Sequence, residues 1–146
     1  MSEHKRKVIR EKVLALLKHN TSVGEEVYAN RVKTLFPNHE PTILIYALQE
    51  TALQTTMAPE KKYTRKISLA IEARVNSGSQ GMVGDLTLDD YLDSLALQIE
   101  DIMKSNNRLL DSAANSVLQA TRFDFSPAGD KLIGAMRLEY EITYFT

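Results

Sequence analysis

The sequence predicts an α+β domain: a mainly antiparallel sheet of about five strands with two amphipathic helices packed on it, in the order α-β-β-β-α-β-β. Three observations predict it. Residues 131–146, KLIGAMRLEYEITYFT, alternate apolar and polar side chains with period two, as does the stretch 63–75. Residues 5–19 and 88–103 instead repeat their apolar side chains at helical spacing. Two such helices each bury one stripe, and a sheet face is the economical surface to receive them.

The first helix is expected from Lys5 to His19, with Val8, Ile9, Val13, Leu14, Leu16 and Leu17 toward the core and Asn20 onward as its stop. A weaker strand is expected over 27–35, where the pattern chooses no buried face. Pro37 and Pro41 bracket a turn. TILIYAL, 42–48, is almost continuously apolar and reads as a central strand covered on both faces. Residues 49–62 lack periodicity and read as a loop or flexible hairpin arm. In the next strand Tyr63, Ile67, Leu69, Ile71, Ala73 and Val75 share a face. Arg65 is the one charge on that side and is expected to reach water near the strand's start. A loop over 76–85 leads to the second helix, capped by Thr87, with Asp89 and Asp90 in its first turn. Residues 108–116 read as coil. Val117, Thr121, Phe123 and Phe125 then share one strand face against Arg122 and Asp124. The turn SPAGD, 126–130, joins that strand to the last one as an antiparallel hairpin. In the last strand Leu132, Met136, Leu138, Tyr140, Ile142 and Tyr144 are expected inside. It should run about 14 residues, or about 45 Å, with a bend or bulge at Gly134.

The chain has 146 residues, which suits a single domain over 1–146 with a core of its own. Its 43% hydrophobic and 25% charged residues fit a globular protein. A formal net charge of −1 gives no global attraction to nucleic acid or to an anionic membrane. The absence of cysteine excludes disulfides, thiolate zinc sites and a cysteine nucleophile. Arg10, Glu11 and Lys12 interrupt the first apolar stretch, so no secretory signal is expected, and no apolar run approaches the ~20 residues of a membrane span.

Chemistry-bearing patterns are weak. The glycines from Gly78 to Gly84 lack the Lys-Ser/Thr of a phosphate-binding loop and read as a strand-to-helix connection. Asp85, Asp89, Asp90 and Asp93 do not fit a calcium-loop pattern and read as charges favouring a helix start. His4, His19 and His39 are expected on the surface. No metal, cofactor or catalytic residue is assigned, and no enzyme activity is expected. The basic residues Lys5, Arg6, Lys7, Arg10, Lys12 and Lys18 make helix 1 the one candidate for phosphate contact, without base-reading aromatics among them.

Several motifs in order resemble the tail terminator proteins of long-tailed bacteriophages. They are Ile9, Arg10, Val13, Leu16 and Leu17 in the first helix; V-Y-x-x-R-V at 27–32; and a proline-led strand at 41–46 with Glu50 beyond it. RKISLAIEA at 65–73, D-x-L-D-x-L-A-x-x-I-E at 90–100 and GAMRLEYEITY at 134–144 follow. The resemblance covers nearly the whole chain and departs at 49–62 and 108–116. It implies a structural minor tail protein, located in the virion tail and assembled in the host cytoplasm. Such a protein forms a six-membered ring of identical subunits on the tail tube. It ends tube polymerisation and presents the head-joining surface. The partners implied are further copies of the chain, the tube protein and a head-completion or connector protein, with no membrane and no specific nucleic acid. Arg31 and Glu50 match family positions and are candidate interface residues. Lys61, Lys62 and Tyr63 are candidates because they are polar and leave the core. The alternatives are another head–tail connector of similar fold, a nucleic-acid module using helix 1, and a small enzyme with a dispersed site near His39 or the Asp85–Asp93 cluster.

Overall fold

A computed structural model describes residues 4–24, 26–29, 41–54, 57, 62–76, 88–106, 113–128 and 131–145. Helix α1 spans Lys5–Leu17 and helix α2 Leu88–Ser105. The strands are β1 (Val27–Tyr28), β2 (Thr42–Gln54), β3 (Tyr63–Asn76), β4 (Ala113–Ala128) and β5 (Lys131–Phe145). They form one sheet in the order β1-β2-β3-β5-β4. Among the described residues only the β1–β2 pair is parallel. The α+β architecture and the element order are those the periodicities predict.

Helix α1 starts at His4, whose Nδ1 accepts the Arg6 N–H at 3.1 Å and fills the N-cap role. Ile9, Val13 and Leu17 form its buried stripe, four residues apart. It ends two residues earlier than the apolar pattern suggests. The Lys18 N–H still bonds the Leu14 carbonyl at 2.8 Å, but His19 turns to φ 65° and its N–H goes to the Gly24 carbonyl at 2.8 Å. Gly24 also lies at φ 65°, where a side chain is disfavoured. This turn is pinned to α2 by the Ser22 N–H, which the Gln98 side-chain oxygen accepts at 2.8 Å.

Helix α2 buries Tyr91, Leu92, Leu95, Ile99 and Met103 on one stripe. Asp89 and Asp90 lie in its first turn and Lys104 in its last, both favourable to the helix dipole. The expected Thr87 cap and the glycine segment at 78–84 lie outside the described residues. The helix packs on β3 and β5, against Ile67, Leu69, Ile71, Met136, Leu138, Tyr140 and Ile142 of the shared core. At Gly134 the side chains of α2 lie close against the sheet backbone. A Cβ there would lie 2.8 Å from Leu88 Cδ2. The register from Thr64↔Phe145 to Asn76↔Ile133 is unbroken, so Gly134 makes room for the helix rather than a bulge.

Three register slips lie elsewhere, one in β2 and two in β4 (Ala113/Asn115 and Leu118/Ala120), and the strands correct three expectations. In β2 the pairing steps from Ala47↔Leu69 to Gln49↔Ser68, leaving Leu48 as an extra residue. The pairing then continues to Gln54↔Tyr63, so the first half of the supposed loop, 49–54, is strand. In β4 the pairing steps from Leu118↔Tyr140 to Ala120↔Glu139. Val117 therefore faces away from the helices, while Thr121, Phe123 and Phe125 face their side, because an extra residue moves everything after it to the other face. The strand also starts at Ala113 and continues to Ala128, absorbing part of the expected coil and turn. Of the expected 27–35 strand, Val27 and Tyr28 pair and 30–35 lie outside the described residues. The reading of 42–48 as a central strand covered on both faces holds for 42–46, whereas Leu48 is the exposed bulge residue. Ile43 and Ile45 enter the main core, and Leu44 and Tyr46 form a smaller cluster with Ala70 and Tyr28 on the other face.

Candidate assembly surface

The bulge at Leu48 places Glu50. Without it, Glu50 would share the face of Leu44 and Tyr46, away from the helices. With it, Glu50 pairs beside Ile67 and points to the helix side. Its side chain is 13% exposed. Arg6 of α1 donates to one carboxylate oxygen at 2.5 Å and Arg65 of β3 donates to the same oxygen at 3.2 Å. The Tyr144 hydroxyl of β5 donates to the other oxygen. Four elements thus meet at one carboxylate. Burial alone would push the Glu50 carboxyl up. The bonds from Tyr144 and Arg6, the Arg6 charge and the bond from Arg65 outweigh it and hold the pKa below the ordinary glutamate value. Burial, then the Glu50 bond, pushes the Tyr144 hydroxyl up to about 12. Nearby, Lys5 Nζ donates to the Phe145 carbonyl at 2.6 Å, a second tie between the first helix and the last strand.

Arg65 does not simply reach water, as the sequence suggests. It joins two of the candidate residues, bonding Glu50 while its guanidinium lies 5.4 Å from the centroid of the Tyr63 ring. Lys62 is exposed at the start of β3. Arg31 and Lys61 lie outside the described residues. Sequence reasoning missed Arg6 and Tyr144 as partners of Glu50. The one available signal was Arg65 itself: an arginine on an apolar strand face calls for a carboxylate close by.

The sheet face away from the helices carries a polar network. Glu72 is buried and accepts from the Tyr46 hydroxyl at 2.8 Å and from Arg74 at 2.5 Å. Arg137 and Arg122 both reach Glu139 at 3.2 Å. Contact with Tyr46 raises the Arg137 pKa against the opposing effect of burial. Among the described residues no group of His, Asp and Glu could hold a metal ion, and no helix is long and apolar enough to cross a membrane.

Of the exposed large apolar side chains among the described residues, Leu97 lies on α2 and Phe145 at the end of β5, and the rest lie on the two flanks of the sheet. On the β2 flank are Leu48, Leu53 (70% exposed) and, in the arm, Met57 (97%). On the β4 flank are Val117, Phe123 (53%) and Phe125. The β4 flank also bounds a cleft of about 340 Å³ between β4 and the C-terminal half of α2, lined by Met103, Leu118, Tyr140, Glu100 and Lys104. Ser116 Oγ, in the same cleft, is buried with no hydrogen-bond partner among the described residues. Burial, then the Glu100 charge, pushes the Tyr140 hydroxyl up to about 12. Asp89, Asp90 and Asp93 do not line this cleft, and Asp85 and His39 lie outside the described residues. No protein-family model and no curated protein matches the sequence.

Proposed function

We propose that the chain is a structural protein of a bacteriophage or prophage tail. Copies close into a ring, six-membered by the family resemblance, that caps the tail tube, stops its polymerisation and offers a surface for head joining. The observation that carries this reading is the placement of exposed apolar side chains on two different, opposite flanks of one sheet. Unlike patches at opposite ends of a subunit suit a head-to-tail contact, and such contacts close into rings when the rotation closes. Glu50 then serves from inside, fixing the base of the arm, where Lys62 and Tyr63 meet a neighbour or the tube; Arg31 and Lys61 are the further contact residues of this reading. No cofactor and no catalysis enter. The rival nucleic-acid reading is weakened, because Arg6 is engaged by Glu50 and Lys5 by the Phe145 carbonyl.

The test is light scattering across a concentration series with negative-stain images of the same sample, alone and with tail-tube protein from the same phage. A rise from monomer to a closed ring of about six subunits is expected. A strict monomer in both conditions, or a twofold dimer, refutes the reading. Binding to a connector but not to the tube would favour the other head–tail protein.

A further inference from the structure

We infer that the ring is closed by strand pairing: β4 of one copy adds antiparallel to the 48–53 stretch of β2 in the next, joining the sheets of neighbouring subunits edge to edge. The inference rests on the ring reading above and specifies its interface.

Three observations lead to it. The first is the pair of edges. Among the described residues β4 pairs only with β5, and β1 pairs only with Ile43 and Leu44 of β2. Natural edge strands are normally guarded by lysines or inward charges. Residues 48–53 of β2 carry only Glu50, which is turned to the helix side and held there. Past its bulge, β4 runs in regular register from Ala120 to Ala128, with Arg122 and Asp124 its only charges; Pro127, which has no N–H to donate, confines the open edge to the residues before it.

Direction is the second. β2 is antiparallel to β3, β3 to β5, and β5 to β4, so β2 and β4 run in opposite senses. A head-to-tail repeat keeps these senses. The β4 edge of one copy therefore meets the β2 edge of the next as an antiparallel pair, the arrangement of every other long pair in the sheet.

The third is charge. α1 lies on the β2 side of the sheet, and α2 lies over β3 and β5, toward β4. Residues 5–18 hold six basic side chains and one acidic, of which Arg6 is engaged by Glu50 and Lys5 by the Phe145 carbonyl, which leaves Lys7, Arg10, Lys12 and Lys18 as the further cations of α1; α2 holds five acidic and one basic. The side of α2 toward β4 carries Glu100, which lines the cleft there, with Asp93 and Asp89 about two and three helical turns before it. When the sheets join edge to edge, the basic α1 of one copy comes to the acidic flank of its neighbour's α2, on the same face. Like helices meeting on a twofold axis would instead repel.

The chain has no cysteine, so introduced pairs report cleanly. Gln49, Thr51 and Leu53 on β2 share the sheet face of Val117, Arg122 and Asp124 on β4, the face away from the helices. Double variants combining one cysteine from each set are oxidised at the concentration where scattering shows the ring. A ladder of covalent oligomers is expected for a fixed subset of pairs. As the β2 position moves from Thr51 toward Gln49, the productive partner should move from Arg122 toward Asp124, the signature of antiparallel pairing. The ladder should shrink as salt is raised from low ionic strength. A ring that forms without any of these cross-links overturns the pairing and leaves the ring reading intact. Efficient dimerisation of the single variant Arg122→Cys overturns it in favour of a symmetric β4–β4 contact. A strict monomer at every concentration, with and without tube protein, refutes the ring reading and this inference together.

Discussion

Replacing Glu50 with alanine should be the most damaging single change at a polar residue of this sheet. The carboxylate accepts from three donors on α1, β3 and β5. Hydrogen bonds to charged groups contribute about 1.5–3 kcal/mol each, and a buried hydroxyl left without a partner costs about 1–3 kcal/mol. Tyr144 is fully buried, so its hydroxyl carries that cost in the variant. Arg6 remains 38% exposed and Arg65 23%, so water recovers part of what they lose. The net loss should be about 3 kcal/mol. Urea unfolding at a concentration where the protein is monomeric reads it directly: with a slope of about 1–3 kcal/mol/M, the midpoint should fall by about 1–3 M. Glu50→Gln keeps an oxygen for Tyr144 and should lose about half as much. Combining Glu50→Gln with Tyr144→Phe should reveal a coupling of about 1 kcal/mol, since both changes strike one bond. If Glu50→Ala unfolds within about 0.5 kcal/mol of the parent, within the range of an ordinary surface substitution, the carboxylate does not hold these elements together.

The remaining predictions follow from neighbouring features. Because the Glu50 pKa is lowered in the fold, its contribution is complete above the unfolded value of about 4.3 and is lost as pH falls through the folded one. Glu50→Gln should flatten that acid limb of the stability profile; an unchanged limb would show that other carboxyls set it. His4 is also lowered, by burial first and then by the Arg6 charge, so its share is present above about pH 6.5 and is lost below it as Nδ1 protonates and releases the Arg6 N–H. His4→Gln should remove this shallow step, seen as a pH-independent midpoint between pH 7 and 5.5. Gly134→Ala places a methyl against the tips of Leu88 and Leu92, which can shift, and should cost about 1 kcal/mol; Gly134→Val should cost more, and equal costs would mean the helix approach is looser than drawn. Deleting Leu48 removes the bulge but leaves Gln49 opposite Ser68 and Glu50 opposite Ile67, so Glu50 keeps its face and the variant should destabilise clearly less than Glu50→Ala in the same urea assay; an equal loss would mean that the carboxylate depends on the bulge itself.

Much of this fold is legible in the sequence because most elements keep one period from end to end. Met136, Leu138, Tyr140, Ile142 and Tyr144 all lie inside, as their alternation predicts, and the α2 stripe from Tyr91 to Met103 is equally plain. The failures gather where the period slips. A bulge adds one residue without any mark in composition, so Val117 reads together with Phe123 across a slip, and 49–54 look aperiodic although they pair throughout. The Glu50 site was half legible. Its position was singled out by the family resemblance, and Arg65 stood on the wrong face for a free cation. Arg6 lies on a helix 44 residues away, and no local pattern connects the two. Tyr144 reads as core because its ring is core; only its hydroxyl takes part in the site.

The extra residue at Leu48 makes β2 two strands in tandem. Before it, the chain is written for an apolar slab with oil on both sides; after it, for a rim whose inner side accommodates a charge. An arm exchanged between proteins of this architecture would therefore have to be spliced ahead of Leu48. A graft joined after it, onto a strand that pairs its residue at this position in regular register, would carry every arm side chain to the opposite surface while preserving each letter of its sequence.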